Sequence, residues 1–173
     1  MRISDTSNIC VYLVEGDDDE AALTQQCDLK RPDVPLVQSS KILNIIEGHL
    51  GKYLRLIRRG RSPIKKYVDG QTIVLVVKFA QGASHRQIAN FLKEKRDKLS
   101  EYVQCIFLIF DCDAPAEQCS KFNDVSSLLE CEEYRPCCSM SARYGLCYKI
   151  RILALAPKLE NTPLCNCICC SKC

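Results

Sequence analysis

Four continuous apolar runs set the framework of this chain. They are Ile9-Cys10-Val11-Tyr12-Leu13-Val14, Ile73-Val74-Leu75-Val76-Val77-Lys78-Phe79, Cys105-Ile106-Phe107-Leu108-Ile109-Phe110 and Ile150-Arg151-Ile152-Leu153-Ala154-Leu155-Ala156. Their apolar residues do not alternate with polar ones, and β-branched and aromatic side chains abound, which predicts strands buried on both faces. Between them the spacing turns helical. Ile42, Leu43, Ile46, Leu50, Tyr53, Leu54 and Ile57 recur at intervals of three and four behind Ser39 or Ser40, either of which can cap. Gly48 and Gly51 weaken the middle of that helix, and Gly60 and Pro63 end it.

Ser84-His85-Arg86-Gln87 reads as a capping box ahead of a helix with Ile88, Phe91, Leu92, Leu99 and Tyr102 on one stripe. A further helix is expected from Phe122 to Leu129. The acids from Asp17 to Glu20 lead into Ala21-Ala22-Leu23, as suits a helix whose positive end attracts negative charge. Residues 28–38, with Pro32 and Pro35, read as a loop. Helices alternating with buried strands imply an α/β fold, with a mostly parallel four-stranded sheet and helices on both faces. Residues 1–160 form the expected domain; residues 161–173 are a Cys-rich C-terminal tail of different composition.

Composition changes this picture little. Charged residues make up 26% and apolar ones 47%, which excludes wholesale disorder, and the net charge of +3 is too small to announce a partner. No run approaches the length needed to span a bilayer, and the N-terminus lacks the apolar core of a signal peptide. The chain therefore reads as cytoplasmic. Of its fourteen cysteines, five (10, 27, 105, 112 and 119) lie in or beside apolar runs, where reduced thiols act as small hydrophobes.

Chemistry concentrates where two of the strands end. In open α/β sheets, ligands bind beyond the carboxyl ends of the strands. The first run ends in Glu15-Gly16, the third in Asp111-Cys112-Asp113. If the strands are neighbours the three carboxylates converge, and the two aspartates, two apart in extended chain, point the same way. Such hard oxygen donors suit a divalent cation, Mg²⁺ or Mn²⁺. Gly16 would permit a tight turn there.

The order of these features, a strand ending Val14-Glu15-Gly16, a glycine-containing turn and helix after the second strand, and a strand ending Asp111-x-Asp113, resembles the Toprim domain of topoisomerases, primases and OLD-type nucleases. The stretch Glu15–Leu23 is especially similar to OLD-type and defence-system Toprim proteins. The resemblance implies that Glu15 is the acid/base or metal-binding glutamate, that Asp111 and Asp113 bind Mg²⁺, and that Asp19 is an additional metal-site acid. The chain departs from the minimal pattern by an extra helix after Glu15 and by Ala114-Pro115 after Asp113. ATPase, primase zinc-finger and topoisomerase tyrosine motifs are not visible, so a nuclease fits better than a topoisomerase, and any ATPase would be a partner.

Lys52, Arg55, Arg58, Arg59, Arg61, Lys65 and Lys66 follow one another without an intervening acid. They are either a stripe that holds nucleic-acid phosphates or a solvated helix face. His85 and Arg86 stand at a helix start, where a phosphate could be drawn or where they could simply face solvent. Cys131, Cys137, Cys138 and Cys147 are potential zinc ligands of irregular spacing. Three functions follow: a Mg²⁺-dependent Toprim-like nuclease (a hydrolase of phosphodiester bonds), a catalytically inactive module binding nucleic acid or protein, and a cysteine-rich zinc-binding regulator.

Overall fold

The computed structural model describes residues 8–33, 40–50, 63–79, 83–134 and 142–155. Strand β1 (Ile9–Val14) runs into helix α1 (Asp17–Gln26), followed by α2 (Ser40–Leu50), β2 (Ile64–Asp69) and β3 (Thr72–Lys78). Then come α3 (His85–Ser100), β4 (Cys105–Asp111), a 3-10 turn at Ala116–Gln118, α4 (Ser120–Leu129), β5 (Glu132–Tyr134), β6 (Ala142–Cys147) and β7 (Ile150–Leu155).

The sheet order is β2-β3-β1-β4-β7-β6-β5. The four anticipated strands are its centre, β3-β1-β4-β7, and they pair in parallel. The expectation of a four-stranded sheet is corrected: the sheet is seven-stranded and mixed, since β2, β5 and β6 pair antiparallel with their neighbours. These three flanking strands carry interspersed polar residues because only the centre is covered on both faces. The β2–β3 hairpin turns at Gly70, whose φ of 59° is left-handed and suits glycine.

The two faces follow the two-residue period of a strand. Val11, Leu13, Leu75, Val77, Ile106, Leu108 and Phe110 pack with Ile42 and Ile46 of α2, Phe91 and Leu92 of α3, and Phe122 and Val125 of α4. Tyr12, Val14, Val76, Phe107 and Ile109 face the other way, toward Leu23 of α1. There Tyr12 and Phe107 stack at 4.6 Å across β1 and β4. Each large side chain so buried contributes about 1.5–3 kcal/mol, which locks β1 and β4 side by side.

The expected capping box is present: Ser84 Oγ accepts the Gln87 N–H, and Gln87 Oε1 accepts the Ser84 N–H. The expected helix over residues 42–57 is observed as Ser40–Leu50; residues 51–57 lie outside the described residues, as do the Cys-rich tail and Cys137 and Cys138. The thiols depart from expectation. Cys112 bonds to Cys119 and Cys131 to Cys147, and Cys10 and Cys27 are also disulfide-bonded. Cys105 is buried, with its Sγ 3.3 Å from that of Cys10.

Candidate acidic site

Because β1 and β4 are hydrogen-bonded neighbours in register from Cys10 with Cys105 to Leu13 with Leu108, their carboxyl ends emerge together. Glu15 follows β1 directly, and Asp111 is the last residue of β4. Glu15 is half-buried. Burial, and then the charge of Asp111, push its pKa from 4.5 up to about 7, with Asp19 and Asp113 adding to the rise and Lys121 opposing it. All three carboxylates singled out alongside Glu15 are therefore near enough to act on it.

The local conformations differ from those anticipated. Asp113 does not continue the extended strand: its φ is 57°, in the left-handed region that aspartate tolerates better than most residues. That bend turns it from Asp111 toward α4, where the Lys121 ammonium contacts the Asp113 carboxylate and also donates to the Asp111 carbonyl at 3.1 Å. Gly16 takes extended backbone (φ −152°) that any residue adopts, so no tight turn demands glycine there. A Cβ at Gly16 would meet nothing within 4 Å. Asp19 is buried and accepts the Gly16 N–H at 2.8 Å, capping α1 as well as facing Glu15.

Among the described residues, no three His, Cys, Asp or Glu side chains stand close enough, as oriented, to hold a metal ion. The carboxylates gathered at the adjacent strand ends repel one another, and the Lys121 ammonium supplies positive charge beside them.

A second polar cluster was not anticipated. Lys78, at the end of β3, pairs with Asp17 at 2.6 Å and Glu20 at 2.8 Å, and the Tyr67 hydroxyl donates to Glu20. Asp17 thus anchors α1 to the sheet rather than merely facing solvent, and only Asp18 remains a plain exposed helix-start acid. Lys78, Tyr67 and Lys121 carried no signal in the sequence, because their partners lie 61, 47 and 8 residues away.

The basic residues divide. Lys65 and Lys66 lie on β2, not on a helix, and adjacent strand residues point to opposite faces. Lys65 reaches the field of Asp17. Arg55, Arg58, Arg59 and Arg61, with Lys52, lie outside the described residues. Arg86 is exposed, and His85 is half-buried near Phe110, where burial and the Lys121 charge lower its pKa. Of the candidate zinc ligands, Cys131 and Cys147 are bonded to each other.

A pH effect follows for the metal-free protein. The folded-state pKa of Glu15 lies above its ordinary value, so ionisation opposes folding, and that cost is absent below pH 4.5 and complete above pH 7. Glu15→Gln removes it. Discounted for solvent screening, the gain at pH 8 is on the order of 1–2 kcal/mol, or roughly 3–6 °C in Tm, shrinking to nothing near pH 4.5. Thermal melts in EDTA at the two pH values measure it; equal gains at both would contradict the carboxylate clustering.

No protein-family model matches the chain, and no curated protein matches it. A solved structure, that of a hypothetical protein from Pyrococcus horikoshii OT3, is similar at 20% identity and a TM-score of 0.46, covering 83% of this chain and 54% of that one. The chain thus spans about half the length of that protein.

Proposed function

We propose that this chain is a Toprim-like, Mg²⁺-dependent nuclease domain that hydrolyses phosphodiester bonds. The observation that carries the reading is the meeting of Glu15 with Asp111 at the carboxyl ends of adjacent parallel strands, joined by Asp113 from the loop after β4 and Asp19 from the first turn of α1. Divalent cations held there would polarise a phosphate and favour ionisation of a bound water. Glu15, with a pKa near 7 before cation binding, can hold or release a proton at neutral pH. Asp111 and Asp113 supply the hard oxygens, and Asp19 keeps α1 closed against Gly16. Lys65, Lys66, His85 and Arg86, with the arginines from Arg55 to Arg61, are the residues proposed to hold nucleic-acid phosphates. A partner ATPase belongs to the same reading.

The test is direct. Labelled single- and double-stranded DNA and RNA are incubated with the purified chain in Mg²⁺, in Mn²⁺ and in EDTA. Cleavage in either metal and none in EDTA is expected; absence of cleavage in every condition refutes the enzymatic reading. One observation favours a second reading, a catalytically inactive module: the pairing of Asp113 with Lys121, which neutralises one acid without a metal. That module would show salt-sensitive nucleic-acid binding without cleavage. A zinc regulator has less support, with two of its four candidate thiols spent on one disulfide.

A further inference from the structure

We propose that the groove between α2 and α3 is an anion site that holds backbone phosphates of a nucleic-acid strand, apart from the acidic strand ends. The inference rests on the nucleic-acid part of the reading above and on none of its metal chemistry. It begins with how the two helices face each other. Lys41, Asn44, Ile45 and Gly48 recur at three- and four-residue spacing along α2, and Lys95, Lys98 and Tyr102 do so along α3 and just beyond it. The Lys41 ammonium lies 5.5 Å from the centre of the Tyr102 ring, and the other five residues line one cavity of about 330 Å³. The two stripes therefore run antiparallel, meeting at Lys41 and Tyr102, with Gly48 and Lys95 at the other end.

The lining has the chemistry of an anion site. Two ammonium groups and a carboxamide share it with Ile45, which is partly buried against the core. The acids of the two helices, Glu47, Glu94 and Asp97, are not among the described residues that line it. Glu94 pairs with Lys95 at 3.1 Å, but sequence neighbours on a helix do not face each other, and such exposed pairs contribute little. A phosphate can take that ammonium. Gly48 is an independent sign. Glycine inside a helix is less favourable than alanine, and no packing asks for it here, since an added Cβ would meet nothing within 4 Å. Its missing side chain leaves room beside the two lysines. Five basic residues against two acids on α3 draw a polyanion toward the groove. Lys95 lies ten residues along α3 from His85, about 15 Å at the helical rise, so a strand seated at both places spans several nucleotides.

The experiment measures binding alone. Fluorescence anisotropy with labelled single-stranded DNA, single-stranded RNA and duplex DNA is run in EDTA. It compares the wild type, Lys95→Gln/Lys98→Gln, Gly48→Glu and a control pair, Lys30→Gln/Lys93→Gln. The control removes the same charge from exposed positions outside the groove. The groove pair should bind about tenfold more weakly at low salt, and its salt slope should fall by about 1.4–1.8, the loss of two phosphate contacts. Gly48→Glu, which sets a carboxylate in the cavity, should weaken binding at least as far without lowering Tm. The control pair should lose no more than about twofold. Should Gly48→Glu fail to fold, the groove pair, altered only at its lysine side chains, decides. Unchanged affinity in the groove pair overturns the proposal, and so does equal weakening in the control pair, which would mean diffuse attraction. A wild type that binds none of the three strands overturns it as well. Weakened binding by the groove pair, with no cleavage by the wild type in Mg²⁺, upholds the groove and removes the nuclease reading alone; cleavage by the wild type with groove-pair binding unchanged does the reverse.

Discussion

Replacing both Asp111 and Asp113 with asparagine is expected to lower Mg²⁺-dependent cleavage by about a thousandfold or more while leaving the fold intact. The size follows from the role proposed for them. A metal held by fixed carboxylates supplies several kcal/mol of stabilisation to a developing negative charge, and each 1.4 kcal/mol is about a tenfold change in rate. The fold should survive because neither residue packs in the core: Asp113 is exposed, and Asp111 stands at the open end of β4. Removing two charges that raise the pKa of Glu15 should even relieve repulsion there. The two single variants separate the roles. Asp111, the second-largest influence on Glu15 after burial, should matter more than Asp113, which sits on a loop and is paired with Lys121. Cleavage assays on the three variants, with thermal melts as the control, check this. Undiminished cleavage by the double variant would remove the metal-assisted mechanism, whereas lost cleavage with retained nucleic-acid binding would support it.

Why the acids were visible in the sequence, and the cations that meet them were not, has a physical cause. A strand buried on both faces must be apolar throughout, so β1 and β4 end visibly where the first charge appears, at Glu15 and Asp111. The same logic located the four central strands to within a residue or two. It fails for β2, where Ile64 and Tyr67 are buried and Lys65 is exposed, because a half-covered edge admits polar residues that resemble a loop or a charge run. It fails for β6 as well, where Arg143 and Gly145 interrupt the apolar pattern. The run from Lys52 to Lys66 therefore reads in the sequence as one stretch of positive charge, although its last two members belong to the sheet. Asp113 shows a subtler limit. Extended-chain spacing aligns it with Asp111, but the strand stops, and a left-handed residue turns the second carboxylate toward α4. The backbone conformation just past a strand's end is decided by tertiary partners, here Lys121 and the Cys112–Cys119 bond, and no spacing rule carries that information.

Lys78→Met is expected to destabilise the protein by about 3 kcal/mol, the largest loss of stability anticipated from a single charged residue. Lys78 is only 11% exposed and Glu20 12%, and their 2.8 Å contact lies under α1. Burial pulls the Lys78 pKa down, but the bonds to Asp17 and Glu20 more than offset it, so the group is held above its ordinary 10.5. By the linkage sign, a raised lysine pKa gives stability that is fully present below 10.5 and lost only as pH rises beyond it, so the effect should not vary between pH 6 and 9. Methionine fills the space of the stem yet leaves Glu20 buried with the Tyr67 hydroxyl in place of a full positive charge. At roughly 2–4 °C per kcal/mol for a chain of this size, Tm should fall by about 10 °C. A second substitution separates lost charge pairing from lost packing. In Lys78→Met/Glu20→Met both buried charges are gone, and stability should return to within about 1 kcal/mol of the wild type. Because Lys78 pairs with Val14 in the sheet register and its carboxylate partners open α1, the single variant should also loosen Glu15 and reduce cleavage, and the double variant should recover part of it. Equal destabilisation in the single and double variants would mean that the lysine stem, not its charge, holds α1 to the sheet.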